Sequence, residues 1–262
     1  MRVVSSTAET REITYLSPPA DVSMAARWFE IADLDHFWIR RRFSVFQKLT
    51  GKLAVDAREI AEIGCGHGLL QRQIEEAYGR EVTGFDLNEF ALRKNLSCLS
   101  AICCYDIYDR NPKLKCRFDL ILLFDVLEHI ADEGRFLEAL IFHLAPGGRV
   151  VINVPAGHWA YSRYDQAAGH VRRYSIRSLR KAVVPHNLKI TSWTYWGLPL
   201  VPTLLLRKLW LRRKSDKDEI ISAGFDSRTN IINRSLTVIS RCEPTPQKFL
   251  GTSLMAALEV RL

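Results

Sequence analysis

Apolar segments of strand length alternate with amphipathic segments of helical length along most of this chain. The stretch Phe118–Phe124 is an almost continuous apolar run, which is typical of a strand buried on both faces of a sheet. The predicted strands are Arg58–Ile63, Glu81–Asp86, Ala101–Tyr105, Phe118–Phe124, Arg149–Val154, Leu188–Trp196 and Ser253–Leu262. The predicted helices are Met24–Leu49, Leu69–Tyr78, Phe90–Leu99, Asp132–His143 and Ser175–Val184. This alternation predicts an α/β fold with a doubly wound sheet.

A glycine-rich turn follows the first predicted strand, and the second strand ends in an acid. The turn has the sequence Glu62-Ile63-Gly64-Cys65-Gly66-His67-Gly68, and Asp86 comes eighteen residues after Gly68. Glycines allow a tight turn and close approach of the backbone to a ligand, and the acid binds ribose hydroxyls. The spacing therefore predicts a nucleoside-binding half-fold.

The acid before the glycines distinguishes between possible nucleosides. Glu62 precedes Gly64 by two residues, and the glycines stand as G-x-G-x-G. A dinucleotide site uses a helix N-terminus to hold a pyrophosphate, which a nearby carboxylate would repel. The same carboxylate suits a ligand that carries an ammonium and a sulfonium, as S-adenosylmethionine does. A nicotinamide-dependent oxidoreductase is disfavoured on the same grounds.

Two further predicted strands also end in polar loops. Asp106-Ile107 follows the third strand, and Asp125 and His129 lie in the loop Phe124-Asp125-Val126-Leu127-Glu128-His129-Ile130 after the fourth. Ligands of open α/β sheets bind at the carboxyl ends of the strands. We therefore expect these loops and the glycine loop to meet in one crevice.

Taken in this order, the motifs resemble those of the class I S-adenosylmethionine-dependent methyltransferases. The resemblance covers about Ala57–Trp196 and returns at the last strand. It implies a seven-stranded, mostly parallel sheet of order 3-2-1-4-5-7-6, with an antiparallel seventh strand over Gly251–Leu262. The implied cofactor is S-adenosyl-L-methionine, and the implied activity is methyl transfer.

The resemblance also implies roles for individual residues. The implied cofactor-binding residues are Glu62, Gly64, Cys65, Gly66, Gly68, Asp86, Leu87, Asp106, Ile107, Phe124, Asp125 and His129. Asp86 would accept hydrogen bonds from the ribose hydroxyls, and Asp106 one from the adenine amino group. His129 would close the floor of the pocket.

The loop Pro155–Tyr174 is rich in titratable and aromatic side chains, and long loops of this kind tend to be functional. The candidate catalytic residues are His158, His170, Asp165 and Tyr161. One hypothesis makes His158 or His170 a general base oriented by Asp165. The alternative is that Asp165, His170 and the arginines Arg172-Arg173 form a structural network that fixes the loop to the sheet.

A second, finer resemblance concerns the acceptor. The segment His36-Phe37-Trp38, followed by three arginines, and the segment Tyr161–Tyr174 resemble one branch of these methyltransferases. That branch acts in glycan, lipid-linked or secondary-metabolite pathways. It implies methyl transfer to an oxygen of a small-molecule, glycan or lipid-linked acceptor. Phe37 and Trp38 are expected in the core, and the alternative is a flap over the cofactor with Arg40–Arg42 nearby.

Composition and charge leave other functions open. The 262 residues are 47% hydrophobic and 25% charged, which is ordinary for a globular protein, and the net charge is +8. The positive charge indicates an anionic partner and prompts the alternative of a nucleic-acid methyltransferase. The sequence after the fourth strand is Asp125-Val126-Leu127-Glu128 rather than the Asn-Pro-Pro-Tyr type of base amino methylation, which disfavours that alternative. A cofactor-binding partner protein without turnover is the third possibility.

Cysteine and histidine spacing shows no metal-binding pattern. The six cysteines include no C-x-x-C pair, and Asp125 alone supplies too few acids for a metal-dependent O-methyltransferase. We therefore expect no metal, mostly buried reduced thiols and a cytoplasmic location.

The organisation expected along the chain is a small N-terminal part and one large domain. Residues 1–49 would form an irregular polar arm over 1–22 and a helix covering the cofactor site, and residues 50–262 the methyltransferase domain. Within it, residues 197–250 form an insertion whose segment 198–214 is apolar and then basic. This segment is either a lid on the crevice or a peripheral membrane contact. Residues 216–233 are polar and are predicted to form a loop.

Overall fold

The strands of the protein form one open sheet. The computed structural model describes residues 12–21, 32–214, 216–217, 219–221 and 230–261. The strands are β1 (Ile13–Tyr15), β2 (Ile60–Ile63), β3 (Thr83–Asp86), β4 (Ile102–Cys104), β5 (Phe118–Phe124), β6 (Leu144–Pro155), β7 (Leu188–Trp196) and β8 (Ser253–Val260). Their order is β1-β4-β3-β2-β5-β6-β8-β7. β8 is antiparallel to both neighbours, and the other pairs are parallel.

This arrangement confirms the doubly wound α/β sheet and its antiparallel last strand. From β2 onward, the order is the one that the resemblance implied. The expected number of seven strands is wrong, because Ile13–Tyr15 add an eighth strand beside β4. Part of the arm expected to be irregular over residues 1–22 is therefore a sheet edge, and Ser17 continues it by donating from its backbone N–H to the carbonyl of Cys104.

The central strand β5 is apolar along almost all of its length because both of its faces are buried. Side chains of a strand alternate between the two faces of a sheet. Ile121 and Leu123 enter the hydrophobic core on one face, and Leu120, Leu122 and Phe124 enter the core on the other. Burial of each such side chain stabilises the fold by about 2 kcal/mol, so both faces of the sheet require covering helices.

The helices cover these faces. They are α1 (Phe37–Asp56), α2 (Leu69–Tyr78), α3 (Glu89–Arg93), α4 (Glu133–His143), α5 (Arg163–Ala168), α6 (Ile176–Val183), α7 (Val201–Leu211) and α8 (Asn230–Arg241). The N-cap of α1 is the buried His36, whose ring nitrogen accepts from the backbone N–H of Trp38 at 3.2 Å. In the helix predicted over Met24–Leu49, residues 32–36 are not helical, and the helix ends later, at Asp56. Residues 24–31 lie outside the described residues, and α1 runs through the expected domain boundary after residue 49.

The helix predicted over Phe90–Leu99 is wrong beyond Arg93. Residues 97–100 instead wrap around the carboxylate of Glu75, which accepts from the backbone N–H groups of Cys98, Leu99 and Ser100. It also accepts from the hydroxyls of Ser97 and Ser100. Five donors converging on one carboxylate offset the loss of helical hydrogen bonds.

The described part of the segment between β7 and β8 includes the helices α7 and α8. α7 occupies the apolar part, as the composition suggested. The loop predicted over residues 216–233 is wrong in most of its described part, because residues 217 and 219–221 are helical and α8 begins at Asn230. Residues 218 and 222–229 lie outside the described residues. α8 and the residues after it contact α1, where the buried Arg41 pairs with the buried Glu243 at 2.9 Å. Asn233 accepts at its Oδ1 from the backbone N–H of Phe37 at 2.8 Å.

Of the described residues, no helix combines the length and apolar character that crossing a membrane requires. Three of the cysteines (Cys98, Cys116 and Cys242) are exposed. The thiols are therefore less buried than their positions in the sequence suggested.

Candidate active site

A cavity of about 470 Å³ opens at the carboxyl ends of β2, β3, β4 and β5. It is lined by Glu62, Gly64, Cys65, Gly66, Asp86, Leu87, Asp106, Ile107, Phe124, Asp125 and His129, and also by Ile39, Arg42, Tyr105, Tyr108 and Phe136. The loops expected to form one crevice therefore meet. Gly68 is the one residue of the expected cofactor set that does not line the cavity.

Each glycine of the loop has a left-handed backbone. Gly64 has a φ of +74°, and a Cβ there would lie 2.4 Å from Cγ2 of Val126. The backbone N–H of Gly66 donates to Oδ2 of Asp86 at 2.7 Å. Gly68, with a φ of +78°, leads into α2, and a Cβ there would meet the side chain of Asn95. These positions therefore require glycine for two different reasons, approach to the cavity wall and close packing behind it.

Asp86 is fixed at the end of β3 by backbone donors. Besides Gly66, the backbone N–H of Asn88 donates to its Oδ1 at 2.8 Å. Burial raises the pKa of Asp86, and these hydrogen bonds oppose that rise. At the next strand, Asp106 accepts from the backbone N–H of Tyr108 at 2.9 Å, and its own N–H donates to the hydroxyl of Ser17. Both acids are thus held by the chain with their carboxylates at the cavity.

Glu62 is buried in the cavity wall and incompletely hydrogen-bonded. Burial raises its pKa to about 8, although the charge of Arg42 opposes this. Its Oε2 has no hydrogen-bond partner among the described residues, and the same is true of Nε of Arg42. The cavity wall therefore contains one oxygen of Glu62 and one nitrogen of Arg42 that are buried without hydrogen-bond partners among the described residues, which is costly unless a ligand supplies the partners.

Arg42 also holds Asp125. Its Nη1 lies 2.6 Å from Oδ2 of Asp125, whose other oxygen accepts from Nδ2 of Asn153 at 2.7 Å. Asn153 in turn accepts at its Oδ1 from the indole N–H of Trp196 at 2.9 Å. Sequence reasoning placed Arg42 only near the cofactor and missed Asn153. A fully buried Asn inside an apolar strand is the signal that would have found it, because such a group needs polar partners.

The loop after β6 brings its polar residues together away from the cavity. Asp165 is fully buried and accepts from Nδ1 of His170 at 3.0 Å and from Nε of Arg173 at 2.7 Å. It also accepts from the backbone N–H of Ser162 at 2.8 Å, which caps α5. Burial alone would raise its pKa, but the hydrogen bond from His170 and the charge of Arg173 outweigh it and hold the pKa at about 2. Asp165 is therefore a carboxylate.

The other two candidates of this loop lie nearer to its surface. The exposed His158 stacks on Tyr161, with ring centroids 6.2 Å apart. The hydroxyl of Tyr161 donates to the carbonyl of His170 at 2.8 Å. None of the four candidate catalytic residues lines the cavity itself.

His129 joins the cavity to this network. It lines the cavity, and its ring meets that of His170 edge-to-face with centroids 4.8 Å apart. Burial lowers the pKa of His129 to about 4, so the ring is neutral at pH 7. Ligand atoms of Glu128, His129 and His170 lie within 4.8 Å of one another and could hold a metal ion. Spacing in the sequence did not indicate this group, since His170 comes from a distant loop.

Comparison with known proteins decides the family. A family model described as a methyltransferase domain matches residues 34–192, which is more than half of the chain. The chain belongs to this methyltransferase family. A probable S-adenosylmethionine-dependent methyltransferase of Mycolicibacterium smegmatis is 28% identical over 125 residues, which cover 46% of this chain and 46% of the relative. Together with the fold, this makes the chain a class I S-adenosylmethionine-dependent methyltransferase. The unsatisfied Glu62 and Arg42 fit the ammonium and carboxylate of that cofactor.

Curated relatives share less than half of this methyltransferase. The chloroplastic tocopherol O-methyltransferase of Arabidopsis thaliana is 28% identical over 123 residues, which cover 42% of this chain and 35% of the relative. A ubiquinone biosynthesis O-methyltransferase of Bradyrhizobium diazoefficiens is 30% identical over 139 residues, or 49% of this chain and 54% of the relative. The chain spans less than half the length of the first curated relatives that it matches.

Solved structures share the fold over a longer range. The N-methyltransferase NodS of Bradyrhizobium japonicum, in complex with S-adenosyl-L-homocysteine, covers 92% of this chain. This chain covers 99% of NodS, with a TM-score of 0.52 and 16% identity. At that identity the similarity shows the fold alone.

Proposed function

We propose that this methyltransferase transfers a methyl group from S-adenosylmethionine to an oxygen atom of a small-molecule, glycan or lipid-linked acceptor. The observation that carries the proposal is the cavity at the carboxyl ends of four strands, with an unsatisfied Glu62 and Arg42 in one wall and Asp86 at the end of β3. These groups match the charged amino-acid end and the ribose of one ligand.

The cofactor would be held by residues from each loop. Glu62, Arg42 and the glycine loop would bind its methionine end, beside Phe124 and Asp125. Asp86 would accept from the ribose hydroxyls, since its carboxylate ends β3 at the cavity. Leu87, Asp106 and Ile107 would contact the adenine. The glycine at 68 would act indirectly, by directing α2 away from the loop.

Arg42 has two roles in this proposal. Its Nη1 orients Asp125, while its Nε lacks a partner among the described residues. A guanidinium with a free N–H is a strong donor to a carboxylate. Trp38 and Phe124 flank the guanidinium, at 5.0 and 5.3 Å from their ring centroids, and so restrict its position.

The bound cofactor supplies an electrophilic methyl group on a sulfonium. Placing an acceptor oxygen in line with that methyl contributes much of the acceleration, and a base that removes the hydroxyl proton contributes roughly a hundredfold or more. His129 is the neutral imidazole in the cavity wall. His170 lies directly behind it, held by the Asp165 carboxylate. We assign proton removal to this histidine pair, with Asp165 as the orienting group and Tyr161 fixing the loop backbone.

The choice of oxygen rests on this neutral imidazole and on the relatives. Two of the relatives described above are named as O-methyltransferases. A phosphoethanolamine N-methyltransferase of Zea mays is also similar, at 29% identity over 102 residues. A hydroxyl acceptor needs a base more than an amine does, and the histidine pair would supply one.

Methyl transfer to a panel of acceptors tests the proposal. The panel contains phenols, sugars and polyprenyl-linked glycans, each matched with its amine analogue, and label from the methyl group of the donor is followed into product. We expect labelled ether products, and kcat lower by at least about tenfold for His129→Ala and for His170→Ala. His158→Ala is the matched control and should stay within about twofold.

Two outcomes would contradict the assignment. Label in the amine analogues alone would exclude the oxygen acceptor. Loss of turnover in His158→Ala with normal turnover in His170→Ala would indicate that the exposed His158 is the base.

A further inference from the structure

The solvent-facing side of α7 is apolar. The exposed fractions of Leu205, Leu206, Leu209 and Trp210 are 42%, 67%, 56% and 53%. Residues three and four apart in a helix share one face, so these side chains form a single stripe along α7. A surface helix normally has polar residues at such positions, and a contiguous exposed apolar patch indicates an interaction site.

The opposite side of α7 is fixed to the protein. Leu211 is fully buried in a small core with Tyr164 and Ala168 of α5. The guanidinium of Arg207 lies 4.3 Å from the centroid of the Tyr164 ring. Because α7 already contacts the domain through this side, its apolar stripe faces outward and does not close over the cavity. This disfavours the alternative of a lid.

Positive charge accompanies the stripe. Residues 201–214 contain five Arg or Lys and no Asp or Glu. Arg212 and Arg213 are exposed directly after α7 ends. Trp210 lies between the leucines and this basic end. An amphipathic helix that combines apolar side chains, an aromatic ring and basic residues is typical of segments that lie in the interface of an anionic bilayer.

The acceptor side of the protein borders this surface. Lys208 donates to the carbonyl of Trp159, and Arg163 donates to the carbonyl of Lys214. The indole of Trp159 is itself 42% exposed. The loop after β6 and the stripe of α7 therefore share one region of the surface.

We propose that α7 docks this protein on an anionic lipid surface, with Leu205, Leu206, Leu209 and Trp210 in the headgroup region and Arg212 and Arg213 on the lipid phosphates. The charge favours this occupant over a second copy of the chain, because two copies, each with a net charge of +8 and five basic residues over 201–214, would repel one another.

Vesicle co-sedimentation tests the docking surface without any methyl donor. The whole chain is mixed with vesicles of phosphatidylcholine alone, or with added phosphatidylglycerol, at about 0.05 M and about 0.5 M salt. We expect binding to the anionic vesicles at low salt, much weaker binding at high salt, and little to the neutral vesicles. Because activity is not measured, the result is independent of the acceptor.

Variants locate the contact on α7. Leu206→Asp with Leu209→Asp should abolish sedimentation, whereas Leu99→Asp, at a 53% exposed leucine elsewhere, should leave it unchanged. Neutralising two cations costs about fivefold each, so Arg212→Gln with Arg213→Gln should lower partitioning about twenty-fivefold. Arg180→Gln with Lys181→Gln on α6 is the matched charge control. Circular dichroism verifies that each variant is folded.

Three results would overturn the proposal. The first is no binding of the wild type to anionic vesicles at low salt. The second is an equal loss of binding in the α7 variants and in their controls. The third is that the wild type does not bind vesicles but forms a dimer in sedimentation equilibrium, and that Leu206→Asp dissociates this dimer. The last result would assign the stripe to a second copy.

Discussion

The cavity and the loop 156–174 contain similar numbers of charged side chains but differ in how those side chains are bonded. In the loop, Asp165 accepts from His170, Arg173 and Ser162, so its charge is compensated within the protein. In the cavity wall, Glu62 keeps an oxygen without a partner among the described residues. Buried polar groups are normally satisfied, so the unsatisfied ones mark where a ligand binds.

The two pKa values express the same contrast. The pKa of Asp165 is held at about 2, whereas that of Glu62 rises to about 8. Both carboxyl groups are buried, so burial raises the pKa of each, and only Asp165 has enough donors to reverse the effect. A dense group of titratable residues in a sequence therefore does not distinguish a structural network from a binding site.

The largest effect that we expect from this contrast is on stability. Asp165→Asn should destabilise the fold by about 3 kcal/mol, because it leaves Arg173 buried without its charged partner. Glu62→Gln should change the free energy of unfolding by less than about 1 kcal/mol at pH 7, since a carboxyl with a pKa of about 8 is mostly protonated there and glutamine is also neutral. Urea unfolding of both variants measures the difference. Equal destabilisation by the two substitutions would contradict the claim that Asp165 is compensated within the loop and that Glu62 is not compensated within the cavity.

The next effect is on cofactor affinity. Glu62→Gln should weaken S-adenosylmethionine binding about thirtyfold, since a hydrogen bond to a charged group contributes about 2 kcal/mol. Asp165→Asn, under conditions where it is folded, should bind the cofactor normally. Calorimetric titration of both variants measures these affinities. A thirtyfold loss of affinity in Asp165→Asn, with normal affinity in Glu62→Gln, would contradict the placement of the cofactor in the cavity.

The pH dependence of Glu62 sharpens this prediction. The unfolded carboxyl loses its proton near its ordinary pKa of 4.5, and the folded one near 8. The folded state therefore binds more protons between these values, so Glu62 makes the protein without cofactor less stable as pH rises from 4.5 to 8. Cofactor affinity should rise over the same range, by at most about tenfold per pH unit, because the ammonium needs the anion. Both slopes should be smaller in Glu62→Gln.

The smallest effect concerns the shape of the glycine loop. Gly64→Ala should lower cofactor affinity about tenfold, because a methyl group there collides with Val126 and the φ of +74° is strained. Gly79→Ala is the matched control, with a φ of +63° and open space around the added carbon. It should cost about 1 kcal/mol of stability and leave affinity unchanged. Equal affinities for the two variants would show that the loop adjusts freely.

Strands whose signal is local were predicted well. β5 and β7 have the predicted bounds, because β5 is an apolar run and β7 is rich in β-branched and aromatic residues, and neither pattern depends on distant residues. The sequence also predicted that the loops would meet at one cavity, since their residues end or follow strands and the sheet brings strand ends together. The exception is Gly68, whose position behind the loop depends on Asn95.

Features that depend on distant contacts were not predicted. The early end of α3 depends on Glu75, and β1 depends on an available edge beside β4. Arg42 pairs with Asp125, which lies 83 positions away in the sequence, and the ring of His129 contacts that of His170 in the loop after β6. No local pattern contains such pairings, so a single sequence does not show which polar groups are already bonded.

Calorimetric titration with S-adenosylmethionine and with NAD, on the wild type and on Asp86→Ala, tests the central claim most directly. The account predicts one S-adenosylmethionine site per chain, no comparable NAD binding, and at least about a hundredfold loss in Asp86→Ala, which removes two charged hydrogen bonds to the ribose. Preference for NAD, or unchanged affinity in the variant, would contradict the placement of the methyl donor in this cavity.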